Sequence, residues 1–264
     1  MKKIMCLTLA VAFMLSISAC GQSSGDPADS SGNPSTTQSA GTSSPSTTQG
    51  SKATSALTSL EAYEQYIDMK TTAYNEISGE ISKHPDLALT GSMILFPIVM
   101  VDLTLIPLTL VGTEGGEAAL AFLGMKDINI DKSGDSYTIA YTSSNDVSMT
   151  QTCEYDAATN SIRSILSDID ESQDSLIFEY AKSGDGYISQ YCMYEDQDGE
   201  YTLIKMYFNA DGDVTIGIET VSGKPSSIFK QTGLTADFAQ NDSSCFMLKG
   251  GALTIFDDGE EKTY

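Results

Sequence analysis

Three patterns of apolar and polar positions divide this chain. Leu60, Tyr63, Ile67, Tyr74, Ile77 and Ile81 recur at three- and four-residue spacing, the period of a helix that buries one side. Lys70 is the one break in that stripe. Thr58, with Glu61 three residues on, predicts a capping box at the start of the helix, and Gly79 with His84-Pro85 predicts its end. From Lys126 onward the period drops to two. Val147, Met149, Cys153 and Tyr155 alternate with Ser148, Thr150, Thr152 and Glu154. Residues 201–208 are apolar on both alternations and predict a strand covered on both faces. Turn signals fall at Gly134-Asp135, Asp185-Gly186, Asp198-Gly199, Asp211-Gly212, Gly250-Gly251 and Asp258-Gly259. Asp-Gly between such runs marks a hairpin, because both residues accept positive φ. The pattern predicts eight or nine strands, near 137–142, 147–155, 161–166, 175–181, 187–195, 201–208, 213–220, 226–231 and 245–256, the last divisible at Gly250-Gly251. Helices followed by such a meander predict an α+β fold. Its form is N-terminal helices packed on an antiparallel sheet, or an open half-barrel, of about eight or nine strands.

The third pattern is an apolar run at residues 93–112. Fourteen of its twenty residues are large and apolar, and Asp102 is its only charge. The length suits a membrane span. Against that, Asp102 at the centre costs about 3 kcal/mol on insertion scales, and Pro97 and Pro107 each remove a backbone donor that lipid cannot replace. The expectation is a buried element, kinked at the prolines and laid across the sheet; a segment that touches lipid is the alternative. Once buried, Asp102 needs a partner. A backbone amide or Thr104 would serve, and a polar group at the base of an apolar cavity is the functional alternative, which makes Asp102 a candidate ligand-binding residue. Glu117–Leu123 predicts a short helix stopped by Gly124.

The N-terminus reads as a targeting segment. Met1-Lys2-Lys3 is basic, Ile4 to Leu15 is almost wholly apolar, and Ile17-Ser18-Ala19-Cys20 follows. An aliphatic residue, two small residues and cysteine resemble the lipobox of bacterial lipoproteins, with Ile17 where Leu is commonest. The resemblance covers residues 1–20. It implies a signal peptide over 1–19, cleavage before Cys20, and acyl chains on the Cys20 sulfur. The chain would then be anchored to the outer face of a cell membrane. Residues 20–56 follow as a tether. Seventeen of the 36 residues from 21 to 56 are Ser or Thr, and none is large and apolar, so nothing offsets the entropy of ordering them. The tether's root-mean-square reach is about 35 Å. Such tethers resemble those of Gram-positive surface lipoproteins. A single α+β domain is expected over 57–264, with 57–125 mainly helical and hydrophobic and 126–264 forming the sheet.

Residues 1–19 carry two lysines and no acid, so residues 20–264 carry 12 basic against 36 acidic side chains, a formal charge of −24. Such a surface repels nucleic acid and anionic headgroups, which leaves the lipid anchor to hold the chain at the membrane. Cys153, Cys192 and Cys245 remain after Cys6 and Cys20 are set aside; they allow at most one disulfide, or three buried thiols. No CxxC occurs, and the one histidine is His84, so neither a zinc site nor a histidine-assisted nucleophile assembles. Ser227-Ile-Phe-Lys230 has the Ser-x-x-Lys spacing of penicillin-binding enzymes but lies outside any predicted helix. Asp196, Asp198 and Asp211, Gly212, Asp213 suggest a calcium loop, yet Tyr194 and Tyr207 stand where the first ligand belongs. No metal, cofactor or catalytic set is expected.

The sequence thus points to a membrane-tethered, extracytoplasmic, non-enzymatic binding module for a lipid or other hydrophobic ligand. Its order of helices then meander resembles the open half-barrels of bacterial lipoprotein carriers. The alternative is an interaction subunit that docks on a membrane protein through 93–112. An extracellular hydrolase is a weaker third reading.

Overall fold

The computed structural model describes residues 57–264, apart from 112–114, 171–172, 196–198, 241–242 and 258. The signal segment, Cys20 and the tether lie outside the described residues. Ala56–Tyr264 is a compact unit with its own core.

Helix α1 spans Ser59–Ser82. Its start is the expected capping box: the Glu61 amide donates to Thr58 Oγ1 (3.3 Å) and the Thr58 amide donates to Glu61 Oε2 (2.8 Å). The helix runs through Gly79, and Lys83 caps it. The buried line is Ala62, Tyr66, Lys70, Ala73, Ile77 and Ile81, with Tyr63 beside it. A short 3₁₀ turn, Pro85–Leu87, reverses the chain. The apolar run divides into α2, Ala88–Thr104, and α3, Ile106–Leu110. Pro97 stands inside α2, and Pro107 takes the first turn of α3, where its missing donor costs nothing. Among the described residues no helix is long and apolar enough to cross a membrane. Helix α4, Gly116–Phe122, leads into the sheet.

All eleven strands pair in chain order as one antiparallel sheet. They are β1 Lys126–Ser133, β2 Ser136–Thr142, β3 Ser148–Asp156, β4 Ser161–Asp168, β5 Gln173–Ser183 and β6 Gly186–Glu195. Then follow β7 Glu200–Phe208, β8 Val214–Val221, β9 Ser244–Lys249, β10 Ala252–Asp257 and β11 Glu260–Thr263. The count exceeds the expected eight or nine for two reasons. The edge strands β1 and β11 carry charges in place of a clean apolar alternation, and residues 245–256 form two strands. Gly250 and Gly251, with φ of 57° and 81°, close the two-residue hairpin between β9 and β10. One expected strand is absent: residues 226–231 form turns and extended chain. Lys230 there adopts φ 64°, which a strand cannot hold.

Register sorts the side chains into two faces. On one face Tyr155, Ile162, Tyr180, Ser189, Met206, Ile216, Phe246 and Ile255 lie in a row across neighbouring strands. We call this the inner face, because Tyr66 of α1 stacks on it. Tyr66 of α1 stacks on Tyr180 at 4.4 Å and 4°, and meets Tyr187 edge-on at 5.5 Å. Tyr137 Oη of β2 donates to the Leu108 carbonyl (3.2 Å), and Gln151 Nε2 of β3 donates to the Thr104 carbonyl (3.3 Å). At the other edge Lys262 reaches Asp86 (3.2 Å) and Tyr264 packs on His84.

The outer face carries a polar row, Glu154, Arg163, Glu179, Gln190 and Lys205. The segment between β8 and β9, with its 3₁₀ turn Ala236–Ala239, crosses this row as a strap. Glu179, 1 % exposed, accepts from Ser227 Oγ (2.6 Å), the Ile228 amide (2.8 Å) and Gln190 Nε2 (2.7 Å). Ser161 Oγ accepts from the Lys230 amide, and Ser183 Oγ donates to the Leu234 carbonyl.

Candidate functional site: the cover helix and the tyrosine face

The strongest candidate lies where α2 crosses the inner face. Among its described side chains, helix α2 places apolar residues both inward and outward. Leu95, Ile98 and Val101 are buried against α1 and the sheet, whereas Phe96 and Val99 are 48 % and 37 % exposed. An ordinary surface helix presents polar residues outward. This one does not.

Beside this helix, between α1 and the inner face, lies a cluster of phenols. Tyr66 Oη and Tyr191 Oη share a hydrogen bond of 2.7 Å. Phe178 packs on Tyr191 at 5.1 Å, and Tyr63 on Phe178 at 6.4 Å. Burial pushes the phenols of Tyr63, Tyr66, Tyr137, Tyr180 and Tyr191 far above their ordinary value. Burial also raises Tyr141 to about 12.

Asp102 meets neither of the partners expected for it. Lys70 Nζ donates to Asp102 Oδ1. The two residues that break their apolar stretches, one on α1 and one on α2, break them together. The Lys70 side chain is 3 % exposed and that of Asp102 34 %. Lys70 Nζ also lies 5.5 Å from the centre of the Tyr191 ring. Burial lowers the Lys70 pKa and raises that of Asp102, and in each case the partner's charge opposes the shift. Helical spacing alone could place Lys70 in the buried line, but its partner 32 residues away carries no local signal.

No family, no curated protein and no solved structure matches this chain.

The other candidate residues are occupied structurally. Ser227 donates to Glu179, and the Lys230 ammonium lies over the Phe229 ring (5.0 Å), so the Ser-x-x-Lys pair is not assembled. Asn209 Oδ1 accepts from the Asp211 and Asp213 amides, and Asp213 accepts from the Gly250 amide; these are turn contacts. Asp196 and Asp198 lie outside the described residues. Among the described residues no three acidic, cysteine or histidine side chains converge as metal ligands. Cys153, Cys192 and Cys245 are buried thiols in β3, β6 and β9, and no disulfide joins them. Burial raises Cys153 and Cys192 to about 11 each, which suppresses thiolate chemistry. A groove of about 450 Å³ opens between α1 and the turns after β5 and β7, walled by Asp68, Thr72, Glu76, Lys182 and Asn209. Its walls are mixed polar, and Lys182 already covers the Tyr187 ring at 4.1 Å.

Proposed function

We propose that this chain is a membrane-tethered, extracytoplasmic, non-enzymatic binding module for an apolar ligand, anchored through Cys20, and that α2 is the element that handles the ligand. One observation carries the reading: among its described side chains α2 buries Leu95, Ile98 and Val101 and turns Phe96 and Val99 to solvent. A helix with two apolar sides can give one to a membrane or ligand while the other covers the sheet. The sheet supports the same reading. Eleven flat strands at about 4.8 Å spacing would span roughly 48 Å, and 17 residues of α2 span about 25 Å. Yet side chains from β2 to β10 share one core with α1 and α2. An open half-barrel curled around the helices accounts for this, and it suits a carrier. The tether would hold the domain at a root-mean-square distance of about 35 Å from the bilayer.

A second reading rests on the exposure of Phe96 and Val99. In it the outer side of α2 docks on a membrane protein, and the ligand space stays closed. Native mass spectrometry on residues 57–264, purified without detergent, separates the two. A monomer carrying lipid-sized mass supports carriage. A clean monomer that takes up no added amphiphile removes carriage and leaves docking.

A further inference from the structure

The Lys70–Asp102 pair, its cation buried and its anion one-third exposed, is placed unusually for a stabilising contact. Buried pairs contribute little net stability against well-packed apolar residues of similar volume. Leucines at 70 and 102 would complete both apolar stretches. The two charges are also unequally mounted. Lys70 sits on α1, which the Tyr66–Tyr180 stack fixes to the sheet. Asp102 sits on α2, five residues after Pro97, whose ring interrupts the helix ladder. The cation thus belongs to the anchored layer and the anion to the cover.

If α2 parts from the sheet, Asp102 leaves with it. Lys70 then remains as a buried ammonium beside the Tyr191 ring. An uncompensated charge there is costly. A ligand with an apolar chain and one anionic end restores the balance. Its chain replaces α2 against the inner face, and its anion replaces Asp102 on Lys70. The paired hydroxyls of Tyr66 and Tyr191 offer a donor to a second oxygen.

We propose that Lys70 is the head-group site for an anionic amphiphile, a carboxylate or phosphate on an alkyl chain, and that Asp102 is the internal anion such a ligand displaces. This rests on the apolar-ligand reading above.

The test uses residues 57–264, titrated below micelle formation with dodecanoate, dodecyl phosphate and dodecanol, and read by native mass spectrometry and tyrosine fluorescence. The wild type is expected to bind at least one anion about tenfold or more tighter than dodecanol; which anion does so separates a fatty carboxylate from a lipid phosphate. Asp102→Asn removes the competitor and is expected to tighten anion binding while leaving dodecanol unchanged. Lys70→Met with Asp102→Leu keeps the volume and removes both charges; it is expected to bind all three probes alike. Equal binding of the three by wild type overturns the head-group assignment and leaves carriage standing, as does an anion preference that survives in the double variant. Failure of every probe to bind either wild type or the double variant overturns carriage itself, and the assignment with it. The wild-type and double-variant arms decide the question even if Asp102→Asn does not fold.

Discussion

The two faces of the sheet are held by opposite means. The inner face joins the helices through stacked rings: Tyr66 lies within 6 Å of Phe178, Tyr180, Tyr187 and Phe208 by ring centres. The outer face joins its strap through polar anchors, with Glu179 at the centre, and among the strap's described residues only Ile228 and Ala239 are buried apolar ones. The burial of ring area is non-directional and scales with that area. Polar anchoring is directional and fails when one partner goes. The difference predicts that the helix layer tolerates adjustment, whereas the strap is either seated or released.

Alkaline titration should separate the faces most strongly. Tyr63, Tyr66, Tyr137, Tyr180 and Tyr191 stay protonated in the fold well above the value near 10 that they take when unfolded. A raised folded value gives stability that is complete below pH 10 and is lost as pH rises. Each phenol forfeits about 1.4 kcal/mol per pH unit beyond its unfolded value. The lowered pKa of Lys70 works in the opposite sense but is a single group. The urea midpoint should therefore hold to about pH 9.5 and collapse by about pH 11.5. A midpoint unchanged at pH 11.5 would show that the rings are not buried.

Tyr66→Ala attacks the inner face at its centre and should cost about 3–5 kcal/mol in denaturant unfolding. Glu179→Leu strips three donors of their acceptor on the outer face and should cost about 2–3 kcal/mol. The decisive contrast is where each acts. Amide exchange in Glu179→Leu should accelerate across 224–234 while α1 keeps its protection; spread of the effect into α1 would mean that the strap and the helix layer unfold as one. Gly250→Ala belongs to neither face and serves as the reference. Its left-handed φ of 57° should make the change cost about 1 kcal/mol, seen as a small fall in Tm with no regional change in exchange.

Much of this contrast was legible before any coordinates. The capping box at Thr58 and Glu61, the hairpin at Gly250-Gly251 and the alternation from Val147 to Tyr155 are local rules, and local rules survive tertiary context. Tyr66 escaped the predicted stripe because the line was drawn through Tyr63 and Ile67, three residues before it and one after. Residues 226–231 look like a strand by composition. Their amides instead meet Glu179 and Ser161, and no sequence window spans those partners. Edge strands β1 and β11 were hidden by the charges that keep edges from pairing with other chains: Lys126, Asp127, Asp131 and Lys132 on one, and Glu260, Glu261 and Lys262 on the other. The site was half visible. Lys70 and Asp102 each stood out as an exception, and only the fold shows that one exception answers the other.

Strand order that follows chain order also sets a timetable. Any strand of this sheet finds its partner among the residues made just before it, so pairing proceeds without long searches. The helices have no such privilege. They leave the ribosome first, and the α2 surface that ends beneath Asp102 must stay uncovered until β3 and β6 exist. For that interval the most apolar of the described helices lacks its cover, and the chain is then at its most aggregation-prone.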